Sequence, residues 1–219
     1  MINVKRLRCF IGWLAMLLPW ILLVLSLTSG HGFPESMSAT AYYSTCIVPF
    51  MIILGAASIL LMYYDGYDKV DDVLNTIAGI LGLCICFFPT YIPKESDIVY
   101  DYGEINRIGT FLIEENICGK IHLIVAILFF AILSYVSLFQ FTKSSGEMTK
   151  QKKIRNIIYR VCGVGMIASF VIALPIIPII NVGDASINMW LTEAIALFFF
   201  GISWLTKSSA YKWLAADPE

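Results

Sequence analysis

The chain has 219 residues, of which 58% are hydrophobic and 14% are charged, and its net charge is −1. Soluble domains are typically about 45–50% apolar and about 25% charged, so a water-soluble fold could not bury this much apolar surface. The net charge by itself indicates no partner, but the sequence offers no broad basic surface, and we expect no nucleic-acid partner. The composition instead predicts an all-α, polytopic membrane protein that contacts membrane lipids.

Six apolar segments follow one another along the chain. At about 1.5 Å of rise per residue, ~20 residues cross the roughly 30 Å hydrocarbon layer. Residues 1–219 are therefore predicted to form a single six-helix membrane domain, with helices near 10–27, 44–63, 73–88, 121–141, 157–180 and 189–206. A basic start before an apolar run is also typical of a signal peptide, but 18 apolar residues without an A-x-A site favour a retained helix.

The distribution of Lys and Arg predicts the orientation of these helices. With both termini cytoplasmic, 12 of the 15 basic residues fall on the cytoplasmic side, as the positive-inside rule requires. Loop 142–156 is the most basic connection, whereas loop 91–119 is acidic and is predicted to lie outside. A short interfacial helix is predicted between residues 101 and 116, where Ile105, Ile108, Leu112 and Ile113 recur at roughly helical spacing.

Prolines and cysteines provide two further expectations. Pro175 and Pro178 are predicted to kink or break the outer third of the fifth helix, because proline removes backbone donors. The six cysteines lack the spacing of zinc or redox motifs, so neither a metal nor a cofactor is expected. Cys46 and Cys118 both fall near the outer surface, where a disulfide is the alternative to two free thiols.

His122 and Glu193 are the two titratable side chains that stand out within the predicted spans. A charged group costs about 2.5–3.5 kcal/mol at the membrane centre, which makes each a candidate for function. A His–Glu pair near the outer surface could bind a cation or polar headgroup, relay a proton or orient a water. The alternative is a purely structural interhelical hydrogen bond. Four residues at a similar depth are predicted to line the same pocket as His122 and Glu193: Tyr42, Tyr43, Trp190 and Thr192. The alternative is that the aromatic residues only form a belt at the membrane surface.

A second candidate cluster is predicted at the inner face. The acidic turn 65–72 and the basic loop have opposite charge, so contacts of Asp65 or Asp68 with Arg155 or Arg160 would join the two halves of the bundle. Lys152 and Lys153 belong to the same basic group and could also attract anionic lipid. Asp71 or Asp72 is predicted to cap the third helix.

Three functions are compatible with these residues. The first is a non-enzymatic protein that binds a lipid headgroup or small polar ligand in an outer-leaflet pocket near His122 and Glu193. The second is a small proton- or cation-coupled transporter or pore, which could be a homo-oligomer. The third is an intramembrane lipid hydrolase or transferase, although motifs such as G-x-S-x-G and H-E-x-x-H are absent from the sequence.

Several strings resemble those of a family of small bacterial six-helix membrane proteins of unknown function. They are S-A-T-A-Y-Y (38–43), G-Y-D (66–68), A-G-x(8)-F-P-T (78–90), H-L (122–123), S-L-F-x-F-T-K (137–143), R-N-x-x-Y-R-x-C-G (155–163) and E-A-I-A-L-x-x-F-G-I-S-W-L-T-K (193–207). The resemblance covers most of the chain from Ser38 onward and implies a multi-pass protein of the bacterial inner membrane. A more distant similarity to DRAM-like proteins rests on helix count and size.

Cysteine labelling tests the predicted orientation. We expect a membrane-impermeant maleimide to label Thr110→Cys in intact cells and Ser144→Cys only after permeabilisation, because the basic loop faces the cytoplasm. The unsubstituted chain controls for labelling of its native cysteines. Labelling of Ser144→Cys in intact cells would contradict the predicted orientation and indicate the opposite one.

Overall fold

The computed structural model of the chain describes residues 3–94, 96–97, 107–144, 147–172, 181–182 and 185–209. They form six α-helices: α1 (Val4–Thr28), α2 (Ile47–Met62), α3 (Lys69–Phe87), α4 (Glu115–Tyr135), α5 (Lys150–Ile172) and α6 (Asn188–Lys207). A 3-10 helix (Ser38–Tyr42) lies between α1 and α2, and a π-helical turn (Val136–Gln140) extends α4. Two antiparallel hairpins pair β1 (Arg107–Ile108) with β2 (Ile113–Glu114) and β3 (Asn181–Val182) with β4 (Ala185–Ser186).

The helices are those of a multi-pass membrane protein. Five of them are long and apolar enough to cross a bilayer, while α2 has only 16 residues. Large apolar side chains such as Phe10, Ile52 and Val164 expose more than half of their surface on the outside of the bundle. Polar side chains such as Asn75 and Thr192 are fully buried instead. Apolar side chains outside and polar ones inside suit a lipid environment.

Neighbouring helices run in alternate directions, and α6 closes the bundle by packing against α1. Arg8 near the start of α1 donates to the backbone carbonyl of Lys207 at the end of α6, 3.4 Å away. Lys143 after α4 forms an ion pair with Asp68 before α3, at 2.6 Å. We call the end that carries these four residues the basic end.

Hydrogen bonds between α4 and α5 determine how these two helices diverge. The Ser134 hydroxyl donates to the Gly163 carbonyl at 2.7 Å, and the Ser137 hydroxyl donates to the Tyr159 carbonyl at 2.9 Å. Gly163 has no side chain, and a Cβ there would collide with Leu138. The two helices are therefore in close contact near the basic end, and a cavity separates them further along.

Most helices extend beyond the apolar segments that predicted them. α4 starts at Glu115 rather than near residue 121, and α5 starts at Lys150, so the second half of the predicted basic loop is helical. α3 starts at Lys69 and is capped by Asp68, whose carboxylate accepts from two backbone N–H groups at 3.0 Å. The predicted caps Asp71 and Asp72 instead accept from backbone N–H groups of the preceding turn.

The predicted interfacial helix is wrong for residues 107–114, which form the β1–β2 hairpin. Gly109 adopts a left-handed φ of 74° at the turn, a conformation that glycine tolerates best. Ile108 is fully buried with Tyr42 and Cys118, so packing against distant segments outweighs its helical spacing. Cys46 and Cys118 are free thiols. The expected break at Pro175 and Pro178 lies outside the described residues.

The close approach of α1 and α6 depends on two glycines. A Cβ on Gly201 would collide with Met16 and would lie 2.9 Å from the Gly12 carbonyl oxygen. Gly201→Ala should therefore lower the free energy of unfolding by about 1–3 kcal/mol through overpacking. Thermal unfolding in detergent measures this. Gly55→Ala on α2 is the matched control, because a Cβ there meets no atom within 4 Å. Equal melting temperatures for the two variants would contradict the prediction.

Candidate functional site

A cavity of about 650 Å³ opens between α4, α5 and α6. Its walls are apolar and consist mainly of Leu123, Ile127 and Phe130 from α4 with Ile167 and Phe170 from α5. It begins about one helical turn beyond the Ser134–Gly163 contact. A smaller cavity of about 40 Å³ lies behind Ala126 and Phe130 and also reaches Glu193. The volume of the larger cavity is typical of small-molecule sites, which commonly enclose ~300–1,000 Å³.

Polar groups gather at the end of the cavity that is remote from the basic end. His122 and Glu193 both line the cavity, and within the described part of the chain no direct hydrogen bond or ion pair joins them. The other polar lining residues are Ser36, Ser38, Thr90 and Tyr91. The ring of Tyr91 packs over Gly119, where a Cβ would approach it to 2.7 Å. The site thus combines one polar end with a long apolar body.

His122 connects the cavity to the end of α3. It lies seven residues after the start of α4, so it is about 10 Å along the helix, deeper than the single turn predicted. Its Nδ1 atom lies 2.7 Å from the Phe88 carbonyl oxygen. A carbonyl only accepts, so Nδ1 carries the hydrogen in this contact. In the neutral ring Nε2 is then an acceptor, and we find no protein partner for it among the described residues.

Glu193 connects the cavity to the segment before α2. Its Oε2 atom accepts from the Met37 backbone N–H at 2.6 Å, and Ser38 lines the cavity beside it. A second hydrogen bond joins the same two segments: the Trp190 backbone N–H donates to the Glu35 carbonyl at 3.1 Å. None of the described residues that line the cavity is Lys or Arg. The carboxylate is therefore hydrogen-bonded, and the described residues that share the cavity with it include no cationic side chain.

The other four residues predicted for this site do not line the cavity. The Tyr42 hydroxyl donates to the Thr90 carbonyl at 2.6 Å, and the Tyr43 ring stacks on His31 with ring centroids 4.4 Å apart. Trp190 packs edge-to-face against Phe33 and Trp20, and Thr192 is fully buried. Tyr42 and Tyr43 thus pack within the loops, whereas Trp190 and Thr192 face other parts of the bundle.

At the basic end, Asp68 pairs with Lys143 rather than with Arg155 or Arg160. The hydrogen bond from Lys143 lowers the pKa of Asp68. Asp65, Lys153 and Arg160 are exposed, and the Lys152 ammonium group contacts the Glu147 carbonyl at 3.2 Å. The Lys143–Asp68 ion pair therefore connects the acidic turn to the basic loop.

Two charge clusters were not anticipated from the sequence. At the basic end the Lys207 Nζ atom lies 4.9 Å from the centre of the Phe141 ring, and the Arg8 guanidinium lies 5.3 Å from that of Tyr64. These distances suit cation–π contacts. At the opposite end His31 Nε2 lies 2.9 Å from Asp97 Oδ1. Hydrogen bonds from Ser44 and His31 lower the pKa of Asp97 to about 2.

The Glu193 contact generates a prediction about stability. Glu193→Leu leaves the Met37 N–H without its acceptor, so the free energy of unfolding should fall by about 1–3 kcal/mol. Glu193→Gln retains a carbonyl oxygen and should unfold within about 1 kcal/mol of the unsubstituted protein. Thermal unfolding in detergent compares the two variants. If both unfolded at the same temperature, the Met37 hydrogen bond would not contribute to stability.

The chain was compared with known proteins by sequence and by structure. No family model, curated protein or solved structure matches it. The bacterial origin and the inner-membrane location implied by the resemblance therefore stay predictions. What is established is a helical protein with five membrane-length apolar helices, and its function has to be inferred from the geometry of the cavity.

Proposed function

We propose that the protein binds an amphipathic ligand, with the apolar chain between α4 and α5 and the polar headgroup beside His122 and Glu193. The observation that carries the proposal is the cavity of about 650 Å³, which is apolar along its length and polar at one end. A purely polar ligand would leave the apolar walls unused. A purely apolar ligand would make no use of the Glu193 carboxylate and the His122 ring, which would keep only their protein contacts with Met37 and Phe88.

The shape of the site supports a single extended chain. From Leu123 to Ala131 the wall contributed by α4 extends over about 12 Å, at ~1.5 Å per residue. On this wall Leu123 and Ile127 are about half exposed, as are Ile167 and Val171 on α5. These residues form the rim of the cavity on the outer surface of the bundle. A ligand could therefore enter sideways from the lipid, without passing through water.

The arrangement in the membrane follows from the charges. We propose six spans with the basic end in the cytoplasm, because Lys and Arg concentrate at the helix ends there. The polar end of the cavity then faces the outer leaflet, so membrane lipids are the nearest source of ligand. Transport and hydrolysis, the two alternatives, would each begin with the same binding step, so binding is the property to measure first.

Filling the cavity should abolish binding. Ala126 is half-buried and lines the cavity, so Ala126→Phe places an aromatic ring where the chain would lie. We expect single-chain 12-carbon amphipaths to raise the melting temperature of the unsubstituted protein by several degrees, since a ligand that binds only the folded state stabilises it. In Ala126→Phe this increase should vanish. Thermal unfolding of the protein in amphipol, free of single-chain detergent that would compete for the cavity, is the measurement.

Ala168→Phe is the matched control, because Ala168 is exposed on α5 and does not line the cavity. It should respond to the amphipaths like the unsubstituted protein. Ala126→Val adds less volume and should weaken the response without removing it. The proposal would be abandoned if no amphipath stabilised the unsubstituted protein, or if Ala126→Phe and Ala168→Phe responded alike.

A further inference from the structure

The Glu193 carboxylate at the polar end of the cavity bears on which ligand headgroup would bind there. Resting on the proposed function, we infer that the preferred ligand carries a protonated amine as its headgroup. The inference depends on a carboxylate with no Lys or Arg among the described lining residues and on an imidazole nitrogen that can accept a hydrogen bond, both of which face the same cavity.

The first step concerns the charge of Glu193. Its carboxylate accepts from the Met37 backbone N–H, a donor that carries no charge. The ion pairs within the described part of the chain are Lys143–Asp68 and His31–Asp97, and none of these four residues lines the cavity. A carboxylate within a membrane protein is costly unless a cation accompanies it. A cationic ligand would provide that charge.

The second step concerns hydrogen bonding. An ammonium group has three donors and no acceptor. His122 is held through Nδ1 by the Phe88 carbonyl, so its neutral ring offers Nε2 as an acceptor. Glu193 offers carboxylate oxygen, and the hydroxyl groups of Ser36 and Ser38 lie at the same end. The residues that line the cavity therefore supply at least three acceptors, as many as an ammonium group has hydrogens.

The third step concerns the alternatives. An anionic headgroup, whether carboxylate or phosphate, would meet Glu193 without a Lys or Arg among the described lining residues to neutralise it. A neutral hydroxyl headgroup could hydrogen-bond to the same acceptors but would leave the charge uncompensated. A protonated His122 could itself serve as the counter-ion, and that arrangement predicts equal binding of amines and alcohols.

The experiment compares probes that share one chain and differ in headgroup. Dodecylamine, dodecanol and dodecanoate are titrated at pH 7 into the full-length protein held in amphipol without single-chain detergent, with thermal unfolding and isothermal calorimetry as readouts. We expect dodecylamine to bind at least tenfold more tightly than dodecanol, and dodecanoate to bind most weakly. In Glu193→Gln the ratio of amine to alcohol affinity should fall to about one. Glu193→Asp keeps the charge and should keep the amine preference.

Controls separate this site from general attraction between an amine and an acidic protein. Glu114→Gln removes an exposed carboxylate that does not line the cavity, and it should keep the full preference. An amine that binds no better than the alcohol, or a preference that survives Glu193→Gln, would overturn the inference. In that case binding of all three probes, abolished by Ala126→Phe, would still support the proposed function. The absence of any probe binding to the unsubstituted protein would overturn both.

Discussion

Two serine hydroxyl groups determine where the cavity lies. Ser134 and Ser137 on α4 donate to backbone carbonyls of α5, and Gly163 allows the helices to approach closely. Inside a membrane a hydroxyl without a partner is unfavourable, so such bonds hold helices together. Beyond Ser134 the facing side chains are apolar and the helices separate. The two helices are in contact at the hydrogen-bonded serines, and the cavity lies between them beyond that contact.

The helices themselves could be predicted because apolar length is a direct requirement of the bilayer, but their ends could not. Hydropathy detects the part of a helix that lies in hydrocarbon, whereas α4 and α5 continue into polar residues such as Glu115 and Lys150. The β1–β2 hairpin was mistaken for a helix for a different reason. Its apolar spacing is helical, but burial of Ile108 against Tyr42 determines its conformation.

The candidate site could be predicted only in part, because its chemistry is visible in the sequence and its contacts are not. His122 and Glu193 were identified by the cost of placing titratable groups in a span. Their partners are the Phe88 carbonyl and the Met37 N–H, and backbone groups of distant segments leave no residue-specific signal. The ion pair between Asp68 and Lys143 was likewise not predictable, because it depends on where each helix ends.

The shortness of α2 has a consequence for the surrounding lipid. Sixteen residues reach only about 24 Å, whereas a typical hydrocarbon layer is about 30 Å thick. In the six-span arrangement that we propose, the bilayer beside α2 has to become thinner by several ångströms or the helix ends have to draw polar headgroups inward. Membranes of smaller thickness would accommodate the protein with less deformation, so lipid chain length could influence where it accumulates.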